Sequence, residues 1–140
     1  PLPRIRIKKF FIQFRLNYKM DAIEINATNK TPKVLFDGNK GLFSISGKSY
    51  PENVKAFYDR LIDYLKSYKE NPAENTILEF NWLYYNTSTS KMIIELILLS
   101  EDISGNVELR WIVEKGFDLM IQKGEELNEV LGLDMKIVVK

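Results

Sequence analysis

The sequence predicts an α/β fold: a mixed, largely parallel sheet packed with helices. Three observations carry that prediction. Thr76 to Tyr85 alternates in polarity with the period of a strand. Val54, Phe57, Tyr58, Leu61, Ile62 and Leu65 recur at three- and four-residue spacing, the signature of a helix with one apolar face. The two kinds of segment follow one another along the chain, separated by Gly, Pro and Asn. Strands joined through helices need crossover connections, and those are almost always right-handed.

The elements follow in order. Ala22 to Ala27 reads as a short strand, and Thr28-Asn29-Lys30-Thr31-Pro32 as a turn, with Pro32 pushing Thr31 towards extended backbone. Val34-Leu35-Phe36 and Leu42-Phe43-Ser44-Ile45 flank Asp37-Gly38-Asn39-Lys40-Gly41, a hairpin signal with glycines free to take positive φ. Ser49 or Tyr50 is the expected cap region of the first helix, with Pro51 and Glu52 in its first turn, and Asn71-Pro72 ends it. In Thr76 to Tyr85, Ile77, Glu79, Asn81, Leu83 and Tyr85 alternate with Leu78, Phe80, Trp82 and Tyr84, and either set can face the core. Asn86-Thr87-Ser88-Thr89-Ser90 interrupts before an apolar helix from Lys91 to Ile103, which Ser104-Gly105-Asn106 stops. Val107 to Val113 is a strand. Phe117 to Leu131 is a helix with Phe117, Met120, Ile121, Gly124, Leu127 and Leu131 on one stripe, and Met135 to Val139 closes the chain as a strand.

At 140 residues the chain is one domain's worth, able to bury roughly two thirds of its unfolded surface. It has no cysteine and no histidine, which removes disulfides, Cys/His zinc sites, thiol nucleophiles and any Ser-His-Asp triad. No apolar stretch is long enough to span a bilayer and no secretory signal is visible, so a cytoplasmic location is the default. The net charge of +1 hides an asymmetry. Residues 1–19 hold Arg4, Arg6, Lys8, Lys9, Arg15 and Lys19 and no acid, so the remainder is mildly acidic. That basic arm reads as an extra strand, as a piece foreign to the domain, or as an arm for RNA or a membrane surface.

One segment stands out for chemistry. Thr87, Ser88, Thr89 and Ser90 place consecutive hydroxyls between a strand and a helix. The bland reading is an N-cap, with Asn86, Thr87 or Ser88 satisfying the first helical N–H groups. The sharper reading is a phosphorylation switch. A phosphate adds about −1.5 to −2 charges, and the helix start would stabilise it by roughly 0.3 to 2 kcal/mol. The surface would change without the domain unfolding. Enzymatic alternatives are weaker. Gly47-Lys48-Ser49 lacks the preceding glycine of a phosphate loop. Glu125 and Glu129, one helical turn apart, offer a small metal or ligand site, against which stands a merely solvated helix face.

Ala27-Thr28-Asn29-Lys30-Thr31-Pro32-Lys33-Val34, Gly47-Lys48-Ser49-Tyr50-Pro51-Glu52-Asn53 and Tyr85-Asn86-Thr87-Ser88-Thr89-Ser90-Lys91 resemble, in order and spacing, the motifs of the SiaC family of bacterial regulatory phosphoproteins. The resemblance covers about residues 20–140 and implies that 1–19 is an added piece. It implies a fold of the anti-sigma factor antagonist (STAS) type and a partner-switching role without catalysis or a cofactor. On the family pattern a kinase phosphorylates Thr87 and a metal-dependent PP2C-type phosphatase reverses it. The unmodified protein binds and activates a diguanylate cyclase, raising cyclic-di-GMP and promoting biofilm, with no nucleic-acid or membrane partner. The resemblance also places Thr31, Ser49, Tyr50, Pro51, Glu52, Tyr85, Asn86, Ser88, Ser90 and Lys91 around the partner-binding surface. Val113-Glu114-Lys115-Gly116-Phe117-Asp118 is poorer in acid than the family's usual stretch there.

Overall fold

The computed structural model describes residues 19–140. Of the arm at 1–19, residues 1–18 lie outside the described residues. The chain runs β1 (Ile23–Ile25), β2 (Lys33–Asp37), β3 (Leu42–Ser49), α1 (Val54–Glu70), β4 (Asn75–Tyr85), α2 (Thr87–Glu101), β5 (Asn106–Val113), α3 (Asp118–Leu131) and β6 (Lys136–Val139). The strands form a six-stranded sheet in the order β1-β2-β3-β4-β5-β6. β1, β2 and β3 are antiparallel neighbours, and β3 to β6 are parallel. The mixed, largely parallel sheet expected from the sequence is therefore present.

Each crossover moves one strand further in the same direction, so right-handed connections must bring α1, α2 and α3 to one face. Their contacts agree. The Tyr64 and Tyr68 rings of α1 pack edge-on against Phe43 of β3. The Trp111 indole of β5 donates to the carbonyl oxygen of Met120 in α3 at 2.8 Å. The core on this face gathers Val34, Phe36, Phe43, Ile45, Leu78, Phe80, Trp82, Leu109 and Trp111 with Leu61, Leu65, Ile93, Leu96 and Ile97 from the helices. The choice left open by the alternation in β4 is thus settled for Leu78, Phe80 and Trp82.

The last turn of β4 departs from simple alternation. The β3–β4 register runs Gly47↔Trp82 and then Lys48↔Tyr84, so Leu83 is an extra residue on β4. A bulge of this kind turns the following side chain to the other face. Tyr85 therefore joins Trp82 on the helix-covered side, where its ring meets Trp82 and Trp111 at 5.6 and 6.3 Å. Tyr84 is left 48% exposed.

Four helix boundaries differ from expectation. α1 is capped by Asn53, whose side chain accepts from the Ala56 N–H at 3.0 Å, rather than by Ser49 or Tyr50. Pro51 and Glu52 precede the helix instead of forming its first turn. α2 begins at Thr87, not Lys91, because Asn86 is its N-cap and accepts from the Thr89 N–H at 2.9 Å. α3 begins at Asp118, with Phe117 at the cap position and no side-chain cap bond. α2 ends at Glu101 with Asp102 as its C-cap, and Gly105, at a φ of 90°, instead precedes β5.

Candidate functional site

The hydroxyl segment forms the first turn of α2, and its four side chains have four different situations. Thr89 points inward and is fully buried. Its Oγ1 donates to the Ser49 carbonyl oxygen at 3.1 Å and lies 2.9 Å from Ser49 Oγ, which in turn is 2.6 Å from the Tyr58 hydroxyl. The Asn86 N–H also donates to the Ser49 carbonyl, at 3.1 Å. This buried cluster ties the end of β3, the first half of α1 and the start of α2 together. Ser90 Oγ donates back to the Thr87 carbonyl oxygen at 2.6 Å. Thr87 and Ser88 are exposed, and neither hydroxyl has a hydrogen-bond partner among the described residues. A helix start whose own hydroxyls are consumed by capping and core contacts thus leaves two free.

Thr87 differs from Ser88 in what surrounds it. It lines a groove of about 530 Å³ together with Tyr84, Tyr85, Asn86 and Ser90 on one wall and Lys123, Glu126, Leu127 and Val130 on the other. The second wall is one face of α3, whose residues follow helical spacing. Val130 at its rim is 79% exposed. At the floor the Lys123 ammonium sits 4.2 Å from the centre of the Tyr85 ring, a cation–π contact. Burial, and secondarily the Glu126 carboxylate, push the Tyr85 phenol up to about 12, so it stays a neutral hydrogen-bonding group at physiological pH.

The other sequence-predicted residues divide. Tyr50 stacks edge-on against Tyr84 at 5.8 Å and continues the groove wall outward. The Tyr50 N–H donates to the Lys30 carbonyl at 2.8 Å, and Lys30 Nζ pairs with Glu52 at 3.2 Å. The Thr28–Thr31 turn, closed by a 2.6 Å contact between the two hydroxyls, is thereby held beside Tyr50, Pro51 and Glu52. Asn86, Ser90 and Tyr85 belong to the groove itself. Ser49 does not belong to a docking surface: it is fully buried, and its hydroxyl serves Tyr58 and Thr89. Lys91 is exposed but outside the groove lining. Glu125 and Glu129 are exposed on α3, and among the described residues no three acidic side chains are arranged to hold a metal ion. Sequence reasoning does not single out Lys123, Glu126 or Val130 for this surface, and it places Leu127 on the apolar stripe of its helix. Their spacing of three, one and three residues was the available signal.

The buried cluster has a measurable consequence. Burial, opposed by the hydrogen bonds of Ser49 and Thr89, raises the Tyr58 phenol from 10 to about 12. The folded state therefore holds this proton more tightly than the unfolded chain. The resulting stability is complete below pH 10 and is lost as pH rises towards 12. In a series of thermal midpoints across that window, the native chain should lose stability more steeply than Tyr58→Phe. Parallel curves would contradict the assignment.

Comparison with known proteins places this geometry. Residues 25–140 match the model of the SiaC family of regulatory phosphoproteins. An uncharacterised protein of Pseudomonas aeruginosa strain UCBPP-PA14 is 30% identical over 113 residues, covering 79% of this chain and 90% of that one. The crystal structure of apo-SiaC from Pseudomonas aeruginosa superposes with a TM-score of 0.73 at 26% identity, over 86% of this chain and 99% of the other. A chain from the crystal structure of the diguanylate cyclase SiaD in complex with its activator SiaC, from the same species, superposes with a TM-score of 0.72 at 28% identity, over 84% and 97%. No described helix is long and apolar enough to cross a membrane. With the family match running through every element from the end of β1 to β6, the chain belongs to the SiaC family of regulatory phosphoproteins.

Proposed function

We propose that the chain is a phosphorylation-controlled partner switch: unmodified, it binds and activates a diguanylate cyclase, and a phosphate on Thr87 releases that partner. The carrying observation is that, of the four hydroxyls opening α2, only that of Thr87 is both free of an intramolecular bond among the described residues and inside the groove. A kinase would transfer the γ-phosphoryl of ATP to Thr87 Oγ1. The Oγ1–P bond forms as the bond to ADP breaks, and the hydroxyl proton leaves to a base. A PP2C-type phosphatase would return the hydroxyl by hydrolysis. Burial excludes Thr89 from this chemistry, and Ser88 faces away from the groove lining.

The physical logic is desolvation. Docking on the groove removes water from Leu127, Val130 and Tyr84, which is favourable by about 25 cal/mol per Å² of apolar surface. A dianion in the same groove must be stripped of its hydration for the partner to dock, and that opposes binding strongly unless the partner offers a matching cation. The likeness to a protein crystallised as the activator of a diguanylate cyclase supports a cyclase as the client. The chain acts by binding and is not itself a catalyst. The working domain spans residues 20–140, with 1–19 an extension to it, and it operates in the cytoplasm.

The reading is tested by incubating the chain with ATP and candidate protein kinases of the same genome, followed by intact-mass and peptide mass spectrometry. A single phosphate is expected, absent from Thr87→Ala and retained in Ser88→Ala. A phosphate that persists in Thr87→Ala would sink the assignment.

A further inference from the structure

We infer that Lys123 is the in-chain partner of a phosphate on Thr87, and that their pairing closes the groove in the modified state. This deepens the switch reading above and rests on Thr87 being the acceptor.

Lys123 reaches the groove from α3, facing the wall that carries Thr87. Its ammonium lies over the Tyr85 ring and has no carboxylate partner among the described residues, although Glu126 stands one turn along the same helix in the same groove. Several other cations are paired with carboxylates, Lys30 with Glu52, Lys55 with Asp59, Lys69 with Asp102, and Arg110 and Lys136 with Glu108, but none of these lines the groove. Lys123 is thus a cation held by a ring quadrupole alone inside a partly apolar cleft. A phosphate oxygen is a much stronger partner for an ammonium than a phenol ring. When Thr87 gains a dianion, the flexible lysine side chain is drawn from the Tyr85 face to the phosphate. It thereby spans from α3 to the start of α2.

Two further charges decide whether this pairing matters. Glu126 shares the α3 wall and repels the phosphate, so the groove opposes the modification unless Lys123 offsets it. Lys91 stands four residues after Thr87 on α2, a spacing at which an anion and a lysine attract. Lys91 is exposed and absent from the groove lining, whereas Thr87 faces the groove. The geometry therefore favours the lysine across the cleft over the lysine on the same helix. The consequence is that the modified groove is bridged as well as charged, and a partner is excluded by loss of the cleft itself.

The test is a phosphorus NMR titration of the Thr87-phosphorylated chain and its Lys123→Gln, Lys91→Gln and Glu126→Gln variants, beside an unstructured phosphothreonine peptide. In the native chain and in Lys91→Gln, the second phosphate pKa should lie below that of the peptide. Lys123→Gln should raise it by about half a unit or more, and Glu126→Gln should lower it further. Thermal midpoints of unphosphorylated Lys91→Gln and Glu126→Gln should match the native value, since both side chains are exposed, and Lys123→Gln should lose no more than its cation–π contact. A phosphate pKa unaffected by Lys123→Gln, or restored to the peptide value by Lys91→Gln alone, would overturn the inference while leaving Thr87 as acceptor. Failure to incorporate phosphate at Thr87 would overturn the switch reading and this pairing with it.

Discussion

Gly124→Val is expected to lower the thermal midpoint by roughly 10 °C. A Cβ at Gly124 would lie 2.6 Å from Trp111 Cδ1 and 2.8 Å from its Nε1. The indole is not free to give way. It is 1% exposed, it packs against Phe80 and Tyr85, and its N–H is committed to the Met120 carbonyl. Helix propensity alone would favour alanine here by about 1 kcal/mol, so a loss with either substitution measures packing against preference. Forcing side-chain atoms into a filled contact typically costs about 1–3 kcal/mol, and a β-branched residue adds to it. Because Lys123, Leu127 and Val130 ride on the same helix, moving α3 outward should also widen the groove and weaken partner binding. An unchanged midpoint in Gly124→Val would mean that α3 stands further from the sheet than described.

Thr87→Asp is expected to separate function from stability. Thr87 is the first residue of α2, where an acidic side chain faces the positive end of the helix dipole. The midpoint should therefore hold or rise, by the equivalent of about 0.3–1 kcal/mol. Cyclase activation should fall by at least tenfold, because the new carboxylate must be desolvated when a partner covers the groove. Thermal unfolding and cyclic-di-GMP synthesis measured on the same preparation decide the matter. Full activation by Thr87→Asp would show that the groove is not the docking surface.

Most of the fold could be read from the residues because each element carries its own local signal. The helical stripe from Val54 to Leu65, the alternation from Thr76 and the Asp37–Gly41 turn all depend on neighbours a few positions away. What escaped the sequence depends on distant contacts. α2 starts at Thr87 behind its Asn86 cap, and Thr89, a poor helix former, is held in that first turn by a bond to Ser49, forty residues earlier in the chain. The same bonds convert Ser49 from a supposed surface residue into an interior one. Tyr85 changes face through a bulge set by pairing with β3, which alternation in β4 alone cannot reveal. The candidate site was half legible. Thr87 and Asn86 were marked by their place between strand and helix. The opposing wall at Lys123, Glu126, Leu127 and Val130 mixes charged and apolar side chains, so it matches neither a core stripe nor a purely solvated face.

The most direct measurement takes one preparation of the chain, phosphorylates half of it to completion at Thr87, and titrates both halves into the diguanylate cyclase of the same genome. Cyclic-di-GMP synthesis should rise with the unmodified chain, stay at the basal rate with the phosphorylated one, and recover after phosphatase treatment. Equal stimulation by both forms would contradict a switch at this threonine.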